Sequence, residues 1–108
     1  MTDGRDGQIA VIFASVRTGD DEEGYRAAAA AMAALAARQP GYRGIASVRD
    51  AAGAGITISY WASLDDAAAW RDHPDHARVR AAGRDRWYTS YSLDICDIQR
   101  SYDWTRND

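Results

Sequence analysis

Apolar and β-branched residues crowd the stretch QIAVIFASVR, residues 8–17, until Thr18-Gly19 breaks the run, which predicts a first strand. The period then changes. Between about 21 and 39, Tyr25, Ala28, Ala29, Met32, Leu35 and Ala36 recur at helical spacing, and Pro40-Gly41 closes the segment. Asp20 with Glu23 supplies a capping-box-like start for this helix. Two short runs, YRGIASVRD and GITISYW, joined by AAGAG, carry a hairpin signal. In the second, Ile56, Ile58 and Tyr60 alternate with Thr57, Ser59 and Trp61. Ser63-x-x-Asp66 opens another helix, interrupted near Pro74 because proline has no amide hydrogen. Pro74 suits the first turn of a further short helix ending near Gly83. The segment from Tyr88 to Tyr102 is expected as a long last strand. Its apolar phase shifts from Tyr91, Leu93 and Ile95 to Cys96 and Ile98, which predicts a β-bulge near Ile95-Cys96.

Strand, helix, two strands, broken helix, strand is a split α+β order, with an antiparallel sheet and its helices on one face. Large apolar groups occupy both faces of the last strand, yet the chain's own helices cover one face only. A second copy is the simplest cover for the other, so a homodimer through the open sheet face is expected. Residues 1–7 read as a flexible N-terminus and 105–108 as a tail.

Length and composition narrow the function. The 108 residues suit one domain, and 46% apolar with 27% charged residues is ordinary for a globular chain. A net charge of −3 argues against a nucleic-acid partner, which would need a clustered positive surface. Every basic residue is Arg, so lysine chemistry is excluded. Cys96 stands alone, which excludes an internal disulfide and a cysteine metal cluster. The acidic, polar start and the lack of a long apolar run point away from a signal peptide and from a membrane, and the cytoplasm is the expected compartment. Four Trp and six Tyr hint at a pocket or an interface, with a thickened core as the plainer alternative.

The stretches ISYWASLDDAAAWRDHPDHARVRAAGRDRWY and YSLDICDIQRSYDW, with PGYRGIASVRD, resemble the antibiotic biosynthesis monooxygenase domain family from about residue 8 to 104. The resemblance implies a ferredoxin-like β-α-β-β-α-β fold, paired into a dimeric α+β barrel. It also implies two chemistries. One group oxidises phenolic, polyketide-like aromatics to quinones with molecular oxygen and no cofactor; the other binds haem through a histidine and degrades it.

Trp61 stands where the family places a pocket-lining Trp, although a core position under the second helix fits it equally. His76, two residues after Pro74, could be a base or a haem ligand, or a turn histidine bonded locally. On these grounds His76 and Trp61 are the expected catalytic residues, and Trp61, Tyr91, Ser59, Thr57 and Ser15 the expected substrate contacts. No metal site is expected. His73 reads as a helix cap, Trp70 as core, and Trp87 and Trp104 as packing or dimer seam. Tyr60 is expected as the counterpart of Tyr91 on the third strand. Arg49, Arg80 and Arg84 could neutralise a phenolate or a haem propionate, or be solvated ion-pair residues. One departure is visible: the family's better understood members carry an Asn on the first strand, whereas the lone Asn here is Asn107, and Ser15 is the polar side chain nearest that place. The expected function is a cofactor-independent monooxygenase-like protein acting on a small aromatic substrate. The alternatives are a haem-binding or haem-degrading protein and a non-catalytic dimeric binding module.

Overall fold

The computed structural model describes residues 4–107. Strand β1 (Ile9–Arg17) leads to α1 (Glu22–Ala36), then to the hairpin β2 (Tyr42–Arg49) and β3 (Ala54–Trp61). Helices α2 (Leu64–Asp72) and α3 (Pro74–Ala82) follow, then a π-helical turn (Gly83–Trp87) and β4 (Tyr88–Asp97). The four strands form one antiparallel sheet in the order β2-β3-β1-β4, which is the ferredoxin-like α+β topology.

The strand period of two assigns the faces. Ile9 pairs with Trp61, Val11 with Ser59, Phe13 with Thr57 and Ser15 with Gly55, so these residues share a face. Ile9 and Trp61 pack there against Ala36 of α1 and Ala67 and Trp70 of α2, with Met32, Leu35 and Tyr42 around them. This is the helix side of the sheet. Ala10, Ile12, Ala14 and Val16, with Ile56, Ile58 and Tyr60, point the other way. Tyr60 and Tyr91 therefore project from opposite faces, because Tyr91 pairs with Ser15. The expectation that they are counterparts fails on this register.

Several sequence expectations change in the same physical terms. The helix cap is Asp21, not Asp20: its carboxylate accepts from the Gly24 amide at 3.2 Å, and its own backbone is left-handed at φ 53°. Asp20 instead pairs with Arg86 at 2.9 Å. The last strand stops at Asp97, and residues 98–107 carry no regular structure. No bulge falls at Ile95-Cys96, since the pairing runs without a break from Ile9–Asp97 to Val16–Ser90. The irregularity lies between Val16 and Arg17, which face Ser90 and Tyr88 and leave Thr89 as the extra residue. Residues 4–7 form a turn held to the chain's end: the Gly7 amide donates to Ile98, and Arg5 lies over the Tyr60 ring at 3.6 Å. Residues 1–3, the rest of the expected N-terminal segment, lie outside the described residues.

The break at Pro74 is as expected. His73 accepts the Asp75 amide on its Nδ1 and caps α3, while Ser63 caps α2 through the Asp66 amide. At Gly53 in the β2–β3 turn φ is +97°, a conformation that suits glycine, and its carbonyl accepts from Arg17 and from the Arg49 side chain.

Candidate functional site

Two groups of side chains occupy the helix side, at opposite ends of the sheet. Ser15 and Ile9 lie six residues apart on β1, a separation of about 20 Å at strand spacing.

At the Ile9 end the aromatics form a run of rings. Trp61 is fully buried, edge-on to Tyr42 at 5.8 Å and stacked with Trp70 at 6.2 Å. Its indole N–H donates to Ser59 Oγ at 3.0 Å, so the Ser59 hydroxyl is engaged within the protein. His76 lies against Trp70, with ring centres 4.3 Å apart and planes 11° from parallel. The His76 Nδ1 is 3.0 Å from the Trp70 carbonyl, which can only accept; Nδ1 therefore carries the hydrogen, and Nε2 the lone pair. Burial lowers the His76 pKa, outweighing the opposing pull of that carbonyl, with Arg80 and His73 adding to the lowering. The ring is thus neutral at pH 7. It joins α3 to the end of α2 across the Pro74 break.

The other end is built differently. Ser15 is buried, and its hydroxyl accepts from Arg49 at 2.8 Å. Arg49 also reaches the Tyr25 hydroxyl at 3.4 Å. The Tyr25 ring lies under the buried Arg17 guanidinium at 3.5 Å and meets Tyr88 edge-on at 5.9 Å. Phe13, Tyr88 and Tyr91 then close a triangle of rings with centres 5.2 to 6.0 Å apart. The extra residue Thr89 makes this possible, because it returns Tyr88 to the face that Tyr91 occupies. Burial, and then the neighbouring Tyr25 hydroxyl, push the Tyr88 pKa well up, so Tyr88 stays a phenol at any physiological pH. Thr57 Oγ1 shares a hydrogen bond with Ser47 at 2.7 Å, one position further along the sheet. The Tyr91 hydroxyl accepts from Arg84 at 3.2 Å. Beyond it Leu93 and Ile95 continue the same face, and Tyr91, Leu93 and Ile95 are 41%, 48% and 50% exposed.

The structure therefore divides the residues expected for the site. Ser15, Thr57 and Tyr91 gather at one end. Trp61 and Ser59 are locked to each other in the core, and Trp61, with no exposed surface, offers no ring face to a ligand in this packing. His76 belongs to the Trp61 end. Tyr25, from the apolar stripe of the first helix, and Tyr88, from the start of the last strand, join this end; the Tyr88-x-x-Tyr91 spacing reads as opposite faces unless a bulge lies between them.

A family comparison covers most of this architecture. The antibiotic biosynthesis monooxygenase profile matches residues 8–82. The chain belongs to this family. YqjZ of Bacillus subtilis, an uncharacterized protein, is 46% identical over 91 residues, which is 84% of this chain and 79% of that protein. Among solved structures, Rv0793 from Mycobacterium tuberculosis superposes with a TM-score of 0.77 at 18% identity, over 89% of this chain and 99% of that one. SnoaB from Streptomyces nogalater, described as a cofactor-independent oxygenase, gives 0.75 at 18% identity, over 88% of this chain and 96% of that one. At such identities these two structures share the fold with this antibiotic biosynthesis monooxygenase family member. No helix among the described residues is long and apolar enough to cross a membrane.

Haem, the cofactor of the family's second chemistry, would be held through the Nε2 of His76, the ring nitrogen left over once Nδ1 is bonded to the Trp70 carbonyl. One face of that imidazole is taken by Trp70. A concavity of about 840 Å³ does exist on the opposite, open face, at the Ser15 end, where Val16, Val48, Ile56 and Ser92 line it. It lies about 20 Å along the sheet from the His76 end.

Proposed function

We propose that this chain is a cofactor-independent monooxygenase-like protein that binds a small planar phenol or quinol on the helix side of β1 and β4. The supporting observation is the strip formed by Phe13, Tyr91, Leu93 and Ile95: half-exposed rings and aliphatics beside the hydroxyls of Ser15 and Thr57. A planar substrate would stack on the rings, and the hydroxyls would fix its oxygen. The reaction this reading implies takes one naphthol-like phenol and one O₂ to one quinone and one water. One oxygen atom becomes the new ring carbonyl, the other leaves as water, and the substrate supplies the electrons. The protein's part is to orient the ring, favour its deprotonated form and exclude water. Neutral His76, being at the far end, acts in this reading through the α2–α3 joint.

Two copies pack in this reading through their open sheet faces, which leaves the helix-side strip of each free. Val48, Ile56 and Val16 expose apolar surface there, Val48 to 72%.

Oxygen uptake with a panel of naphthols, anthrones and hydroquinones tests the activity. One O₂ consumed per quinone formed is expected, with Leu93→Asp lowering the rate at least about ten-fold by placing a charge under the ring. Uptake no faster than buffer across the panel would overturn the reading.

A further inference from the structure

Arg49 is used by neither the core nor any ion pair. Its guanidinium donates to neutral acceptors: the Gly53 carbonyl, Ser15 Oγ and the Tyr25 hydroxyl. No carboxylate partners it among the described residues. Arg17, over the Tyr25 ring, is by contrast buried and paired with Glu22 at 3.3 Å. Together the two arginines border a cleft of about 230 Å³ between the β1–α1 connection and the β2–β3 turn. The cleft's acidic residues are already engaged: Glu22 faces Arg17 and Arg26, and Asp50 accepts the Ala54 amide at 2.9 Å. An arginine whose charge is unmatched, held by hydroxyls next to an aromatic strip, is arranged for an anionic oxygen. The planar guanidinium fork matches a carboxylate in particular.

We propose that Arg49 anchors a carboxylate of the ligand, so that the site selects aromatic acids, with the ring on Phe13 and Tyr91 and the carboxylate on Arg49 and Ser15. The inference rests on the helix-side strip being the binding surface; it does not require turnover. Ser15 lies between the two groups, since it accepts from Arg49 and pairs with Tyr91 across β1 and β4. The ligand's carboxylate takes over the donors that Arg49 now spends on Tyr25 and Ser15, which frees the Tyr25 hydroxyl to bond the same anion.

Fluorescence titration with 1-hydroxy-2-naphthoate and with 1-naphthol separates the ring from the anchor. The acid is expected to bind the wild-type protein at least about ten-fold more tightly, with the advantage falling as salt rises. Arg49→Gln should abolish the preference and leave 1-naphthol binding within about two-fold, whereas Arg49→Lys, which keeps the charge and loses the fork, should retain part of it. Circular dichroism of each variant checks folding, and Ser15→Ala, which spares the cation, gives a milder loss of about three-fold if Arg49→Gln fails to fold. Equal binding of the two probes, binding of neither, or a preference that survives Arg49→Gln would overturn the anchor. Oxygen uptake is read separately: an Arg49-dependent preference without uptake sinks the oxygenase reading and keeps the anchor.

Discussion

His76 lies flat on Trp70, 4.3 Å between ring centres, and its Nδ1–H is shared with the carbonyl of that same Trp70. Charging the ring is disfavoured even though its Nδ1–H would still donate to that carbonyl, because the imidazolium would have to give up water at a half-buried site beside the Arg80 guanidinium. The folded-state pKa is accordingly below the ordinary value of 6.5. Above 6.5 both folded and unfolded forms are neutral, and the contribution is fully present. As pH falls below 6.5 the unfolded chain takes up a proton that the folded chain resists, and stability declines until the folded pKa is passed. The urea midpoint should therefore drop between pH 7.5 and 5.5, and the drop should shrink in His76→Gln. An identical drop in the variant would assign the effect elsewhere.

The fold was legible because its signals are local. Alternation in QIAVIFASVR, the Ser63-x-x-Asp66 cap, the Pro74 break and the turn before Ala54 each depend on a few neighbouring residues. The grouping of the candidate residues was legible in part. Alternation along each strand separates Ser15, Thr57 and Tyr91 from their neighbours, but the register between strands is what gathers them on one face. Trp61 has the same strand position whether a ligand or the Trp70 ring lies above it, and only tertiary packing decides. The bulge at Thr89 escaped for a related reason. The apolar phase near Cys96 suggested an irregularity, but both faces of β4 simply carry apolar residues. The real one adds a residue opposite the Val16–Arg17 step, where no phase change in the sequence marks it.

Trp61 should be the most sensitive single position in the core. Its ring touches Tyr42 and Trp70 and its N–H satisfies Ser59, so truncation leaves a large void and an unused hydroxyl. Trp61→Ala is expected to cost about 3–5 kcal/mol in chemical denaturation. Trp61→Phe keeps most of the volume and should cost about 1–2 kcal/mol. A loss under about 1 kcal/mol for the alanine variant would mean that Trp61 is not the centre of the packing, and would reopen it as a ligand contact.

Asp21 combines an unusual backbone with three partners. At φ 53° it is the sole described non-glycine residue with positive φ, and its carboxylate meets the Gly24 amide, the Trp87 indole N–H at 3.2 Å and Arg86 at 3.3 Å. The Trp87 hydrogen bond is the main reason its pKa lies below the usual carboxylate value. Through it the start of α1 is fastened to the π-helical turn, where the Thr18 amide and hydroxyl already bond Trp87 and Arg86. Asp21→Ala loses the cap and puts an alanine in the left-handed region, for an expected loss of about 2 kcal/mol. Asp21→Asn tolerates that backbone and keeps an acceptor for Gly24, so its loss should stay within about 1 kcal/mol. Thermal melts of the two variants decide this, and equal losses would show that the charge matters and the backbone does not.

The open sheet face makes the last prediction, because its apolar residues have no cover within one chain. Val48 is 72% exposed, Ile56 44% and Val16 39%, all around the shallow concavity at the Ser15 end. Apolar groups gathered on one flat face favour a second copy about a two-fold axis, where each strand surface meets its own mirror in sequence. A charge within such a contact would be buried once from each copy, so one substitution places two unpaired charges in an apolar seam. Val48→Asp should therefore convert a dimer to a monomer in analytical ultracentrifugation at micromolar concentration. Leu93→Asp, on the opposite face, should leave the mass unchanged, because by the register its side chain points to the helix side. A wild-type chain that sediments as a monomer, or a dimer broken by Leu93→Asp and untouched by Val48→Asp, would move the interface off the open sheet.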